Sequence, residues 1–227
     1  MKVRIRFSKT GALVYIGHLD VMRYFQKLFR RSGIPVAYTE GFSPHQILSF
    51  SHPLPLGMES AGEYADVELT CRITTEKALE NMRKMSVPEI GILSFKELPE
   101  KCENAMASVT AARYEVIMPD NIPFSDIQKA ADDFLSKDEV IVLKKSKKNE
   151  KEVNIRPLVY ELEMNPQKHC ITMLVSSGSR DNLKPELVIN ALETGIKIEA
   201  SDLDMKRIDQ YTGDDFISLD DIGKEIK

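Results

Sequence analysis

Lys2–Phe7 alternates without a break, with Val3, Ile5 and Phe7 on one side and Lys2, Arg4 and Arg6 on the other. That pattern predicts a half-buried strand with a basic outer face. After a Lys9-Thr10-Gly11 turn signal, Val21, Met22, Phe25, Leu28 and Phe29 recur at helical spacing. They predict a helix over Leu19–Arg31, with Arg23, Lys27, Arg30 and Arg31 on its opposite side and Ser32-Gly33 ending it. Ile34–Thr39 reads as a short strand. Glu63–Thr70 alternates again, Ala65, Val67 and Leu69 inward and Tyr64, Asp66 and Glu68 outward. A helix over Thr75–Met85 and a strand over Gly91–Leu98 complete the order βαββαβ.

The charged, proline-led stretch Pro99–Asn104 is the candidate boundary. Beyond it a similar order returns. Ala112–Met118 reads as a strand, and Ser125 with Gln128 forms a capping box for a helix carrying Ile127, Ala130, Ala131, Phe134 and Leu135. Val140–Lys144 and Glu152–Ile155 flank the polar turn KKSKKNEK as a hairpin. A strand over His169–Val175 follows, then a helix opened by Pro185 and stopped by Gly195 after Glu193. Ile196–Glu199 and Arg207–Tyr211 read as terminal strands. The expected fold is therefore α+β: two ferredoxin-like halves, residues 1–99 and 105–212, each an antiparallel sheet with helices on one face. Residues 213–227 form an acidic tail expected to fray.

Between the second and third expected strands, Tyr38–Tyr64 breaks every periodicity. Gly41, Gly57, Gly62, Pro44, Pro53 and Pro55 crowd around His45, His52, Glu40, Glu59 and Glu63. Phe42, Ile47, Leu48, Phe50, Leu54, Leu56 and Met58 supply apolar surface enough to hold residues 40–63 in place. An ordered loop of this length on a rigid scaffold is where binding and catalytic groups collect.

With 42% hydrophobic and 29% charged residues among 227, the composition is that of a globular protein. No apolar run approaches the roughly 20 residues of a membrane-spanning helix, so no membrane partner is expected. Cys71, Cys102 and Cys170 are far apart and odd in number, which reads as reduced thiols in the cytoplasm. They cannot supply an iron–sulfur cluster, and no cofactor is expected. A metal set built from His18, His45 and His52 with Asp20 or Glu40 matches no compact ligand spacing, so no metal is expected either.

The net charge of −4 is unevenly spread. Eight cations precede residue 60 against Asp20, Glu40 and Glu59, while acidic residues crowd the C-terminal end. Arg4, Arg6, Lys9 and the helix stripe of Arg23, Lys27, Arg30 and Arg31 form a candidate polyanion surface. Tyr64 and Tyr114, on outward positions, could stack bases. Arg4 and Arg6 pairing with Asp66 and Glu68 across the sheet is the plain alternative. His18 and His45 are candidate proton-transfer groups if the loop folds over the helix start, the alternative being two structural imidazoles. Glu152, Asn154 and Arg156 project from one strand as a second polar cluster.

Gly41-Phe42-Ser43-Pro44-His45 and Leu54-Pro55-Leu56-Gly57-Met58-Glu59-Ser60 resemble an uncharacterised bacterial family of radical SAM-linked proteins. Phe7-Ser8-Lys9-Thr10-Gly11, His18-Leu19-Asp20, Gly62-Glu63-Tyr64 and Glu152-Val153-Asn154-Ile155-Arg156-Pro157 extend the likeness. The resemblance implies association with a radical SAM enzyme. The chain is also more distantly similar to the duplicated ferredoxin-like RNA endonucleases of CRISPR repeat processing, a likeness of fold. In this family Asn is usual at Ser43, and Pro then a basic residue at Gln46 and Ile47. Three functions follow: an RNA-binding or substrate-presenting accessory of that enzyme, a metal-independent endoribonuclease using His18 and His45, or a protein-interaction module docking through the loop.

Overall fold

The computed structural model describes residues 1–145, 150–179, 181–192 and 203–227. Residues 146–149 of the expected turn KKSKKNEK, Arg180, the helix stop at Glu193 and Gly195, and the strand Ile196–Glu199 lie outside the described residues. The chain is a mixed α+β protein with mostly antiparallel strands and, among the described residues, five α-helices. It divides into two compact units, residues 1–110 with 207–227, and residues 111–206.

Unit 1 begins with β1 (Lys2–Lys9), α1 (His18–Ser32), β2 (Leu48–Phe50), β3 (Glu59–Glu68), α2 (Thr75–Met85) and β4 (Ile92–Glu97). β1 lies between β4 and β3, antiparallel to both, with Arg4 opposite Asp66 and Phe7 opposite Glu63. β2 pairs with β3, which also pairs with β10 (Asp204–Thr212), and β11 (Ile217–Ser218) pairs with β10.

α1 forms because its apolar residues line one side, and it ends where Gly33 takes the left-handed conformation (φ 65°). Its Val21, Phe25, Leu28 and Phe29 pack with Val3, Ile5 and Phe7 of β1 and with Ala78 and Met82 of α2. One face of the sheet is thus sealed by helices. The expected strand at Ile34–Thr39 reduces to two isolated bridges, Val36 to Leu69 and Tyr38 to Gln46.

The other face, expected to be open and basic, is covered as well. A short α3 (Ala105–Ser108) and a 3-10 turn at Leu219–Ile222 lie against Tyr64. Beneath them Arg4 is 1% exposed and Tyr64 is fully buried. The tail of residues 213–227 does not fray. Leu219 is fully buried, Lys224 exchanges backbone hydrogen bonds with Glu97, and Ile226 enters the core beside α2. One of its acidic residues, Asp220, accepts from Ser94 and Lys96, and in β10 Asp209 accepts from Tyr64. A tail anchored by Leu219, Asp220, Lys224 and Ile226 is held against unit 1 although Asp214, Asp215, Asp221 and Glu225 stay exposed.

Unit 2 holds β5 (Ala111–Ile117), α4 (Phe124–Ser136), β6 (Ile141–Lys145), β7 (Glu150–Asn154), β8 (Val159–Asn165), β9 (Cys170–Ser176) and α5 (Pro185–Ala191). β9 lies between β5 and β8, all antiparallel, and β6 and β7 form a separate hairpin. The capping box expected at Ser125 is not formed. Pro123 is the N-cap of α4, and the Ser125 hydroxyl donates to the neighbouring Asp126. Tyr114, expected on an open surface, is buried at 4% exposure.

Candidate functional site

At the end of β1 the strand delivers Lys9 into the interior, with only 3% of its surface exposed. Its Nζ donates to the carbonyls of Val14 and Ile16, at 3.3 and 3.0 Å. Glu63 stands on the same sheet face, but both its carboxylate oxygens are taken by Arg207 of β10, at 2.8 and 2.5 Å. Arg207 also donates to the His52 carbonyl at 2.8 Å. Burial pulls the Lys9 ammonium below its ordinary range; Glu63 opposes the shift and Arg207 adds to it.

A narrow cleft opens above these groups. Lys9, Glu63, Ser51 and His52 line it together with His18 and Val21 from the first turn of α1. The His18 ring is exposed and stands edge-on to Phe50, ring centres 5.4 Å apart. Gly17 is the N-cap of α1 and offers no side-chain oxygen to the first amides of the helix. So the cleft gathers a buried cation, two histidines and the first turn of α1.

His45 is not one of its walls. Its Nδ1 lies 3.1 Å from Thr39 Oγ1, which also accepts from the His45 amide, and its ring is exposed. The histidine that lines this cleft with His18 is His52, while His45 lies outside its lining. The physical reason is the Tyr38–Gln46 bridge, which turns residues 39–45 back on themselves.

The expected polyanion surface divides in two. Arg4 is held by both oxygens of Asp66, at 2.7 and 2.8 Å, and donates to the carbonyls of Leu219 and Glu103. Arg6 lies 3.5 Å from Asp209 and donates to the Ile208 carbonyl. Tyr64 hydrogen-bonds Asp209, and burial, then Asp209, drives its pKa far above the ordinary range. Arg4, Lys9 and Tyr64 are therefore internal, because a cation or phenol on a face that is later covered must find its partner inside.

Arg23, Lys27, Arg30 and Arg31 are the exposed set. Arg23 pairs with exposed Asp20 at 3.3 Å, while Lys27, Arg30 and Arg31 form no ion pair among the described residues. The Gln26 carbonyl accepts from both Arg30 Nε (3.3 Å) and Gln46 Nε2 (3.4 Å), and Gln46 Nε2 also donates to Tyr38 Oη at 3.3 Å. The loop is thereby fastened along the basic stripe, with Tyr38 half exposed and Phe42 fully so. Gly41 (φ 111°) supplies the turn that puts Phe42 outside.

Other loop residues are structural. The Gly57 amide donates to Val14, Glu59 accepts from the Gly11 amide, and buried Ser60 donates to the Arg207 carbonyl. Pro44 and Pro55 are exposed. In unit 2, Asn154 accepts from the Val140 and Arg156 amides, and Arg156 starts a 3-10 turn and donates to the Val159 and Leu135 carbonyls. Glu152 is exposed across from Leu143, so these three are not one polar cluster. Among the described residues no group of three or more His, Cys, Asp or Glu is placed to hold a metal, and no helix is long and apolar enough to cross a membrane.

Arg207 escaped the sequence reading as a site residue, and His52 figures there only in the loop cluster and as a metal ligand. Arg207 has no local signal, since its partner lies 144 positions away. His52 had one: it shares the proline-rich loop with His45.

A two-unit α+β protein with a buried-lysine cleft and a cationic helix flanked by exposed aromatics is thus the class that the fold and site define. Residues 2–185 match the model of a family described as uncharacterized protein conserved in bacteria (DUF2344), and the chain belongs to that family. A comparison with curated proteins gave no match.

Proposed function

We propose that this chain is an RNA-binding or substrate-presenting accessory of a radical SAM enzyme, acting in RNA modification and built on two ferredoxin-like halves. The observation that carries the RNA reading is the shared Gln26 carbonyl. It fixes Tyr38 beside Arg30, so exposed aromatic rings border a cationic stripe. Positive side chains tracking a backbone, with aromatic faces for bases beside them, are the working parts of single-strand binders. Support for the enzyme partner comes from the loop motifs and their resemblance alone.

The test is binding of a single-stranded RNA by fluorescence anisotropy across a salt series, with and without the co-expressed enzyme. Each phosphate neutralised on a single strand contributes about −0.7 to the slope of log K against log salt. Combining Lys27→Glu, Arg30→Glu and Arg31→Glu removes three contacts, so the slope should flatten by about 2. Wild-type protein showing no salt-dependent binding in either setting would overturn the reading.

A further inference from the structure

Arg30 brings more than charge to the α1 stripe. Its Nε donates to the Gln26 carbonyl at 3.3 Å, which holds the long side chain along its own helix. A guanidinium has five N–H donors, and the four on the two Nη groups are left over. No ion pair reaches them among the described residues. A guanidinium fixed through Nε with both Nη groups free is a preformed fork for one phosphate.

The same carbonyl fastens Phe42. Gln46 donates to it at 3.4 Å and bridges to Tyr38, and these two residues are the stem of the turn that carries Phe42. Inside the stem, the Thr39 amide donates to the His45 carbonyl at 2.8 Å, and the His45 amide to Thr39 Oγ1 at 3.1 Å. A well-tied turn thus ends in a phenyl ring left wholly in water. Such a ring forfeits its own burial, and with its backbone already fixed it loses little freedom when something covers it. We propose that Arg30 and Phe42 form a subsite for one nucleotide of an unpaired RNA segment, the Nη fork on its phosphate and the ring against its base. The subsite rests on the RNA reading and narrows it: this surface takes nucleotides with a free base face, not polyanions at large.

A ring stacks only on a base whose face is uncovered, and in a duplex neighbouring pairs cover both faces. An apolar pocket on another protein is the other occupant that an exposed phenyl ring fits. The surroundings argue against it. Lys27, Arg30 and Arg31 are exposed on the helix to which the turn is fastened, with no ion pair among the described residues. Lysine is depleted at protein interfaces, whereas a phosphate backbone neutralises all three cations.

The experiment uses the full chain and a labelled single-stranded oligoribonucleotide, read by fluorescence anisotropy across a salt series. Arg30→Lys keeps the charge and loses the fork, so it should weaken binding roughly fivefold or more at an unchanged salt slope. Phe42→Ala should weaken it roughly five- to a hundredfold, again at an unchanged slope, and Phe42→Tyr should restore it. Both side chains are exposed, so circular dichroism melts of the variants should match wild type. On the fully paired duplex of the same sequence, Phe42→Ala should change nothing. Salt-dependent binding by wild type with unaltered affinity in Arg30→Lys or in Phe42→Ala would overturn the subsite and leave the RNA reading standing. An equal Phe42→Ala loss on the duplex would overturn it as well. Unaltered RNA affinity joined to release of the co-expressed enzyme would make the ring a protein anchor instead. Absence of any salt-dependent binding removes the subsite and the RNA reading together.

Discussion

Arg4→Met separates two roles that a basic residue on a strand can play. The Arg4 guanidinium grips both oxygens of Asp66, and the Asp66 carboxylate also accepts from the Ala105 amide at 2.7 Å. Removing Arg4 leaves that carboxylate buried with one neutral donor. Breaking a buried pair from one side costs about 3–5 kcal/mol, a large share of the roughly 5–15 kcal/mol that holds a domain together. For a chain of this size, about 2–4 °C is lost per kcal/mol, so the melting temperature should fall by about 6–20 °C. Circular dichroism melts and urea curves measure it. Adding Asp66→Leu should return part of the loss, the Ala105 amide then lacking its acceptor at a cost of about 1–3 kcal/mol. At temperatures where the variant is folded, its RNA salt slope should equal that of wild type. A stability change under about 1 kcal/mol joined to a flattened salt slope would refute the argument, placing Arg4 on a nucleic-acid surface.

Two other predictions test how the C-terminal residues are held. The Tyr64 hydroxyl keeps its proton to a higher pH folded than unfolded, so the unfolded chain releases it first. Its contribution is intact below about pH 10 and is lost above it at about 1.4 kcal/mol per pH unit; Tyr64→Phe should lack that loss, as paired melts from pH 9 to 11 would reveal. Gly62→Ala would place a methyl group 2.6 Å from the Ile208 carbonyl oxygen and 2.7 Å from the Asp209 Cα. Both are backbone atoms that cannot swing away, so a loss of about 1–3 kcal/mol is expected in urea denaturation, and an unaltered midpoint would show that β10 can retreat freely.

Unit 1 was largely legible in the sequence. Thr75–Met85 matches α2 at both ends, and α1 extends one residue beyond its expected span on each side. Its helices carry clean stripes and its strands clean alternation, because one face of each packs into a single core. β8 went unseen because the register slips between Val159 and Glu161, and that bulge breaks the two-residue period. The closed second face of the sheet was illegible for a different reason. Lys2, Arg4 and Arg6 have the polar alternation of a solvent face, and it is α3 with the return of residues 207–227 that buries Arg4 and half-buries Arg6. At the site, the loop and the exposed helix stripe could be read locally. The Lys9 cleft could not, since its charges come from positions 9, 63 and 207 and no periodicity links them.

The order of synthesis gives that return of the chain another meaning. Unit 1 is interrupted by the whole of unit 2, and Arg207, the partner of Glu63, leaves the ribosome almost a hundred residues after Thr110. Until then the nascent first segment has the part of β3 that β2 does not reach unmated along one edge, and a carboxylate with no guanidinium. Residues 111–206, continuous in the chain, are free to fold in the meantime. Maturation of the N-terminal unit therefore waits for residues 207–227, which are translated only after unit 2, and a ribosome stalled before Arg207 would display an unclosed sheet to the quality-control proteases of the cell.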